Sequence, residues 1–93
     1  MTPTGDPQWR EMVIVNELGL HARAAAKLAK AARQAHGRVW LQAGSERVDA
    51  KQVIDILTLA AGLGDPIRIG IENASDHRIL EDIAGLVAGG FGE

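Results

Sequence analysis

The sequence predicts an α+β fold, an open-faced β-sandwich in which a four-stranded antiparallel sheet carries three helices on one face. Three observations predict it. Segments that alternate apolar and polar residues interchange with segments of helical period in the order βαββαβα. Glycines stand just past the helical segments, at Gly37 and again at Gly62 and Gly64. The first six elements then fit a split βαβ arrangement, which gathers its helices on one side of an antiparallel sheet.

Trp9 to Asn16 reads as the first strand, with Met12 and Ile14 on one face and Glu11, Val13 and Val15 on the other. Asn16 to Gly19 is a turn. A helix is expected from Ala22 to Ala35, closed by Gly37 at the C′ position, with Ala22, Ala25, Leu28, Ala29 and Ala32 as its buried stripe. Arg38 to Ala43 is the second strand, Gly44-Ser45 a two-residue hairpin turn, and Glu46 to Asp49 the third strand. A second helix is expected over residues 51–61. Pro66 to Ile71 sets Ile67, Ile69 and Ile71 against Arg68 and Gly70, a half-buried strand. Ser75 or Asp76 can cap a third helix, whose stripe is Ile79, Leu80, Ile83, Leu86 and Val87.

Length and composition narrow the function classes. Ninety-three residues with 46% apolar content suit one compact domain, expected over residues 9–93, and no internal repeat or second domain is visible. Residues 1–8, with Pro3, Gly5 and Pro7, read as a loosely held, flexible tail. A net charge of −2 argues against a sequence-blind nucleic-acid or polybasic membrane binder. Cysteine is absent, which excludes disulfides and thiolate chemistry. No apolar run is long enough to insert into a membrane and no signal-peptide pattern opens the chain, so a cytoplasmic location is expected.

Gly19-Leu20-His21-Ala22-Arg23 carries the chemistry. It puts a lone histidine where a turn gives way to an alanine-rich helix. A helix start offers unpaired N–H groups and a partial positive charge, a cradle for phosphate. An imidazole there is discouraged from protonating, and a neutral imidazole is a nucleophile. Arg23 sits in the first helical turn, where a cation opposes the helix dipole by about 0.3–1 kcal/mol. Lys27 and Lys30 extend the positive stripe. Charged helix residues ordinarily form a solvated face, but the unfavourable placement of Arg23 favours a surface suited to a phosphate and an acidic partner. On the second helix Leu59, Leu63, Ile56, Ala60, Val53, Leu57 and Ile54 cover about 220° of the helical wheel, more than one-sided packing needs. Ile56, Leu59, Ala60 and Leu63 suffice for the core. That leaves Ile54 and Leu57, with Val53 at the margin, for an exposed docking patch.

The segment Gly19-Leu20-His21-Ala22-Arg23-Ala24-Ala25 closely resembles the active-site segment of the HPr family, the histidine-containing phosphocarriers of the bacterial phosphoenolpyruvate-dependent phosphotransferase system. Val48-Asp49-Ala50-Lys51-Gln52-Val53-Ile54 is similar to that family's second helix and its approach, and the likeness covers residues 10–90 in order and spacing. The resemblance implies an HPr-like fold and a phosphocarrier, not an enzyme with turnover of its own. It implies that His21 takes a phosphoryl group on Nδ1 from phospho-enzyme I and passes it to an enzyme IIA-type acceptor. Arg23 then matches the arginine that stabilises the phosphoryl group, and Val53, Ile54 and Leu57 match the patch that meets the partners. From the residues themselves, the amides of Ala22 to Ala24 offer the phosphate cradle and Lys27 and Lys30 a positive surface for an acidic partner. No cofactor is implied, and the carrier is expected to be a monomer. Two departures stand out. Ala24 occupies a position where the family usually has proline; alanine is an excellent helix former, so little loss is expected. Gln52 stands where many Gram-positive relatives carry a regulatory serine, and Ser45 does not replace it, so control by a serine kinase of the usual type is not expected. The Gly90-Phe91-Gly92-Glu93 ending resembles the nitrogen-related branch, NPr, and the His-Ala-Arg-Ala run is similar to a variant found among proteobacterial carriers; both point to nitrogen regulation rather than sugar transport.

The other histidines have plainer readings: His36 as a helix C-terminal cap and His77 as a solvent-facing residue of a first turn. No His, Asp and Glu set has metal-ligand spacing, so no metal site is expected. Two other function classes compete. In one, phosphorylation of His21 switches binding to a regulatory kinase or transcriptional partner. In the other, Trp40 and Trp9 on the sheet stack nucleic-acid bases, which the acidic balance disfavours.

Overall fold

A computed structural model describes residues 8–93 of the chain. The tail expected over residues 1–8 lies outside the described residues except for Gln8, which opens the first strand. The elements are β1 (Gln8–Val13), α1 (Ala22–Ala32), β2 (Val39–Ala43), β3 (Glu46–Asp49), α2 (Val53–Thr58), β4 (Pro66–Ile71) and α3 (His77–Ala88), with 3₁₀ turns at Ala74–Asp76 and Gly90–Gly92. The strands lie in the order β1-β4-β2-β3 and every neighbouring pair is antiparallel. The fold is the α+β arrangement expected from the pattern.

Strand alternation explains which face is covered. Ile67, Ile69 and Ile71 of the inner strand β4 are buried against the helices, beside Val39 and Leu41 of β2. On β1 the same face carries Arg10, which reaches Glu81 of α3 in an ion pair, and Met12. Just past β1, Ile14 is buried while Val13 and Val15 are exposed, as the alternation requires. The opposite face is open and carries Trp9 and Trp40, stacked with centroids 5.9 Å apart; the Arg47 and Arg68 guanidinium carbons lie 4.7 and 4.8 Å from the centroid of Trp9. Gly70 lies between the two tryptophans in register, and a Cβ there would come within 2.7 Å of the Trp9 ring.

Each helix departs from the sequence pattern for a local reason. α1 ends at Ala32, not Ala35, because the last amides tighten: Gln34 N–H bonds to the Ala31 carbonyl and Ala35 N–H to that of Ala32. Its buried stripe is Ala24, Ala25, Leu28, Ala29 and Ala32, so Ala22, expected inside, is exposed. Gly37 is no C′ residue of α1. A Cβ there would meet the Asn73 side chain at 2.8 Å, and its N–H donates to Asp76.

α2 is six residues long, not eleven. The N–H groups of Leu59 and Ala60 bond to the carbonyls of Ile56 and Leu57, three residues back, and Ala60 then turns to φ 50°, which stops the helix; beyond it the Ala61 carbonyl accepts from the N–H of Leu20 at 3.0 Å. Ile56 and Leu59 are buried as expected, but Ala60 and Leu63, placed in the core by the helical wheel, are exposed because they lie beyond the helix.

α3 buries Leu80, Ile83 and Val87 and half-buries Ile79 and Leu86. Asp76 holds the N-cap position, yet its carboxylate does not cap α3. It accepts instead from the amides of His36 at 2.9 Å and Gly37 at 2.8 Å, tying down the α1–β2 loop, while Ser75 is exposed in the 3₁₀ turn. Burial opposes the Asp76 charge, but those two amides, with His36 and Lys51 nearby, outweigh it and hold its pKa below the ordinary value. His36 therefore contributes through its backbone, four residues beyond the end of α1, and its ring caps no helix carbonyl among the described residues. His77 faces solvent beside Glu81.

Candidate functional site

His21 is the N-cap of α1, in extended backbone at φ −72° and ψ 178°. The residues just before it fix that placement. Gly19 adopts φ +64° where the loop after α2 presses on it: a Cβ there would lie 2.6 Å from both the Ala61 oxygen and the Gly62 Cα. Leu20, buried in the core, bonds through its N–H to the same Ala61 oxygen. The His21 carbonyl starts the helix by accepting from Ala25 N–H at 2.8 Å, and the ring Nδ1 accepts from Arg23 N–H at 3.3 Å. One edge of the imidazole therefore faces the amide end of α1.

The other edge faces a carboxylate. His21 Nε2 is paired with Glu93 Oε2, and Asn16 Nδ2 donates to Glu93 Oε1 at 3.2 Å and to the Gly19 carbonyl at 2.9 Å. Above all, the imidazole hydrogen bond holds the Glu93 carboxyl below the usual carboxylate range; partial burial opposes this, and Asn16 and the Arg23 charge reinforce it. An ionised carboxylate only accepts and a backbone N–H only donates, so both contacts are satisfied by the neutral tautomer with its proton on Nε2 and its lone pair on Nδ1.

The setting is an open depression of about 540 Å³ lined by Leu18, His21, Ala22, Arg23, Lys27, Gly92 and Glu93. The His21 side chain keeps 26% of its surface exposed. Ala22 and Arg23 are exposed, whereas Ala24 is fully buried beneath them. Lys27 lines the depression and donates through Nζ to the Phe91 carbonyl at 2.6 Å; Lys30 is exposed on α1 outside it. On α2, Ile54 is 72% exposed and Leu57 37%, with Val53 half-buried. Leu18, also exposed, adds an apolar side chain at the rim. A larger depression of about 890 Å³ between His36, Trp40, Arg47, Lys51 and Asp55 shares no lining residue with the first. Among the described residues no group of three or more His, Cys, Asp or Glu could hold a metal ion, and no helix is long and apolar enough to cross a membrane.

Sequence reasoning found His21 and Arg23 but not Asn16, Phe91 or Glu93 as parts of this site. Asn16 reads as an ordinary turn residue, although it is 5% exposed. Phe91, 1% exposed at φ 58°, anchors the final turn in the core and so delivers Glu93 to the ring. A bulky residue at positive φ costs about 1–3 kcal/mol, which full burial of a phenyl ring offsets by roughly as much.

Comparison with known proteins places these features in context. Residues 9–89 match the family described as PTS HPr component phosphorylation site. The chain is 34% identical over 84 residues to the phosphocarrier protein HPr of Cupriavidus necator, covering 90% of this chain and 94% of that one. It is also 34% identical over 84 residues to the phosphocarrier protein NPr of Shewanella violacea, covering 90% and 92%. Among solved structures, HPr from Thermoanaerobacter tengcongensis superposes with a TM-score of 0.87 at 26% identity, over 92% of this chain and 97% of that one. HPr from Bacillus anthracis gives 0.81 at 28% identity, over 87% and 96%.

Proposed function

This chain belongs to the HPr family of phosphotransferase-system phosphocarriers, and we propose that it carries the phosphoryl group on Nδ1 of His21, taking it from phosphorylated enzyme I and handing it to an enzyme IIA-type acceptor. It is a carrier and not an enzyme with its own turnover. The observation that supports His21 most directly is the aim of its Nδ1 at the N-terminal end of α1 from an open depression.

The chemistry is two in-line transfers with His21 as the stop between them, and such transfers depend on positioning and charge stabilisation. In the first, the Nδ1 lone pair forms a bond to phosphorus as the donor's bond to phosphorus breaks and its electron pair returns to the donor. The arriving anion meets the amides of Ala22 and Arg23 over the buried floor of Ala24, where the helix dipole favours negative charge. The Arg23 guanidinium adds a full positive charge. The site is shallow because the phosphoryl group must leave again; a closed pocket would hold it. Partners dock on a small apolar centre, Ile54 and Leu57 with Val53 at its edge, inside a rim that includes Lys27 and Lys30.

The test is incubation with phosphoenolpyruvate and a matching enzyme I, followed by assay for an acid-labile, base-stable phosphate. His21→Ala removes it, and Arg23→Ala slows transfer while leaving the fold intact. Wild type that stays unmodified beside an active donor, or His21→Ala that still takes the label, overturns the reading.

A further inference from the structure

We propose that Glu93 is a positioning residue for phosphoryl transfer: its carboxylate holds the His21 proton on Nε2 and takes up the positive charge that develops on the ring when Nδ1 attacks. This rests on the reading of His21 as the phosphoacceptor.

The geometry carries the inference. The two ring nitrogens have separate partners, a backbone N–H on Nδ1 and a carboxylate on Nε2. As the new bond to phosphorus forms at Nδ1, the ring becomes an imidazolium, its proton stays on Nε2, and no base has to remove one. The charge then lies against Glu93, which is already ionised. On discharge the electron pair of the N–P bond returns to Nδ1 and the ring becomes neutral again with the same proton in place. A buried carboxylate plays the equivalent part behind the histidine of a catalytic triad, orienting the ring and stabilising its charged form.

Glu93 is held in place to do this. Asn16, 5% exposed, fixes Oε1 while also gripping the Gly19 carbonyl two residues before His21. Lys27 ties down the Phe91 carbonyl, and the Phe91 ring is anchored in the core. An ion pair on the surface would contribute little stability, so the effect falls on ring chemistry.

The experiment compares wild type, Glu93→Ala and Glu93→Gln, each labelled with ¹⁵N in the imidazole. Spectra without any donor read the Nε2–H signal, and transfer from phosphorylated enzyme I gives the rate constant. Wild type shows a slowly exchanging Nε2–H; Glu93→Ala loses it to solvent exchange and transfers about tenfold more slowly, the loss of one charge-assisted hydrogen bond. Glu93→Gln keeps an acceptor without the charge, so it retains the signal and falls between the two in rate. Absence of the Nε2–H signal in wild type overturns the proposal. So does Glu93→Ala within twofold of the wild-type rate, or a slowed rate with the signal intact, which would make Glu93 a contact for the donor. Wild type that takes no phosphate overturns the phosphoacceptor reading instead, a separate outcome because the ring spectrum needs no donor.

Discussion

Gly19→Ala tests whether the chain before His21 is held as the geometry describes, and Gly44→Ala is its internal control. Both glycines lie in left-handed backbone, at φ +64° and φ +60°. Alanine in that region costs about 1–2 kcal/mol in the folded state, offset by about 0.4–1 kcal/mol from a less flexible unfolded chain. At Gly44 nothing lies within 4 Å of the added Cβ, so the backbone cost stands alone. At Gly19 the same Cβ would sit 2.6 Å from the Ala61 oxygen and the Gly62 Cα, both main-chain atoms that cannot rotate away. Overpacking of that kind adds about 1–3 kcal/mol. The expected losses are about 1 kcal/mol for Gly44→Ala and about 2–4 kcal/mol for Gly19→Ala, at about 4–8 °C of Tm per kcal/mol for a domain of this size. Urea denaturation followed by far-UV circular dichroism gives both values, with unchanged m confirming that stability alone has moved. Phosphorylation of His21 should fall with Gly19→Ala and stay normal with Gly44→Ala. Equal destabilisation by the two substitutions would refute the claim that the loop after α2 braces the His21 segment.

Two neighbours on α2 separate docking from packing. Ile54→Asp should weaken partner binding tenfold or more, measured by titration calorimetry with enzyme I, with stability within about 0.5 kcal/mol of wild type. Ile56→Ala, at a position with no exposure, should cost about 2–5 kcal/mol in urea denaturation and leave the docking surface unaltered. Asp76→Ala strands the amides of His36 and Gly37 and should cost about 2–4 kcal/mol at pH 7. Because the folded-state pKa of Asp76 lies below its unfolded value, its contribution is complete above the unfolded value and is lost as pH falls through the folded one. The stability gap between wild type and Asp76→Ala should therefore narrow in strongly acidic solution; a gap of constant size from pH 7 to pH 2 would refute the assignment.

The parts of this fold that were legible in the sequence are those decided by neighbours along the chain. Alternation placed Ile67, Ile69 and Ile71 inward, and Gly44-Ser45 marked the hairpin, because strand faces and tight turns are set within a few residues. Helix ends were not legible. A helical wheel continues α2 through Ala60 to Leu63, but the N–H groups of Leu59 and Ala60 bond three residues back and Ala60 turns to φ 50°, so that the Ala61 carbonyl leaves the helix to meet Leu20, some forty residues earlier in the chain. Asp76 looks like an N-cap from its position, yet two amides of the α1–β2 loop compete for its carboxylate and win.

The same division runs through the site. The cap, the ring and the first amides of α1 are consecutive residues, so a short segment announces one edge of the imidazole. The other edge is completed by Glu93, 72 residues away, oriented by Asn16 across 77 residues, and nothing in either local pattern hints at the meeting. What brings them together is Phe91: burying its ring forces an unfavourable positive φ on the final turn, and that turn is what points Glu93 back at Nε2. Core packing and ring chemistry are thus coupled through one aromatic side chain. A substitution that empties the Phe91 site acts on the imidazole without touching it, by releasing the carboxylate on which the Nε2 proton rests.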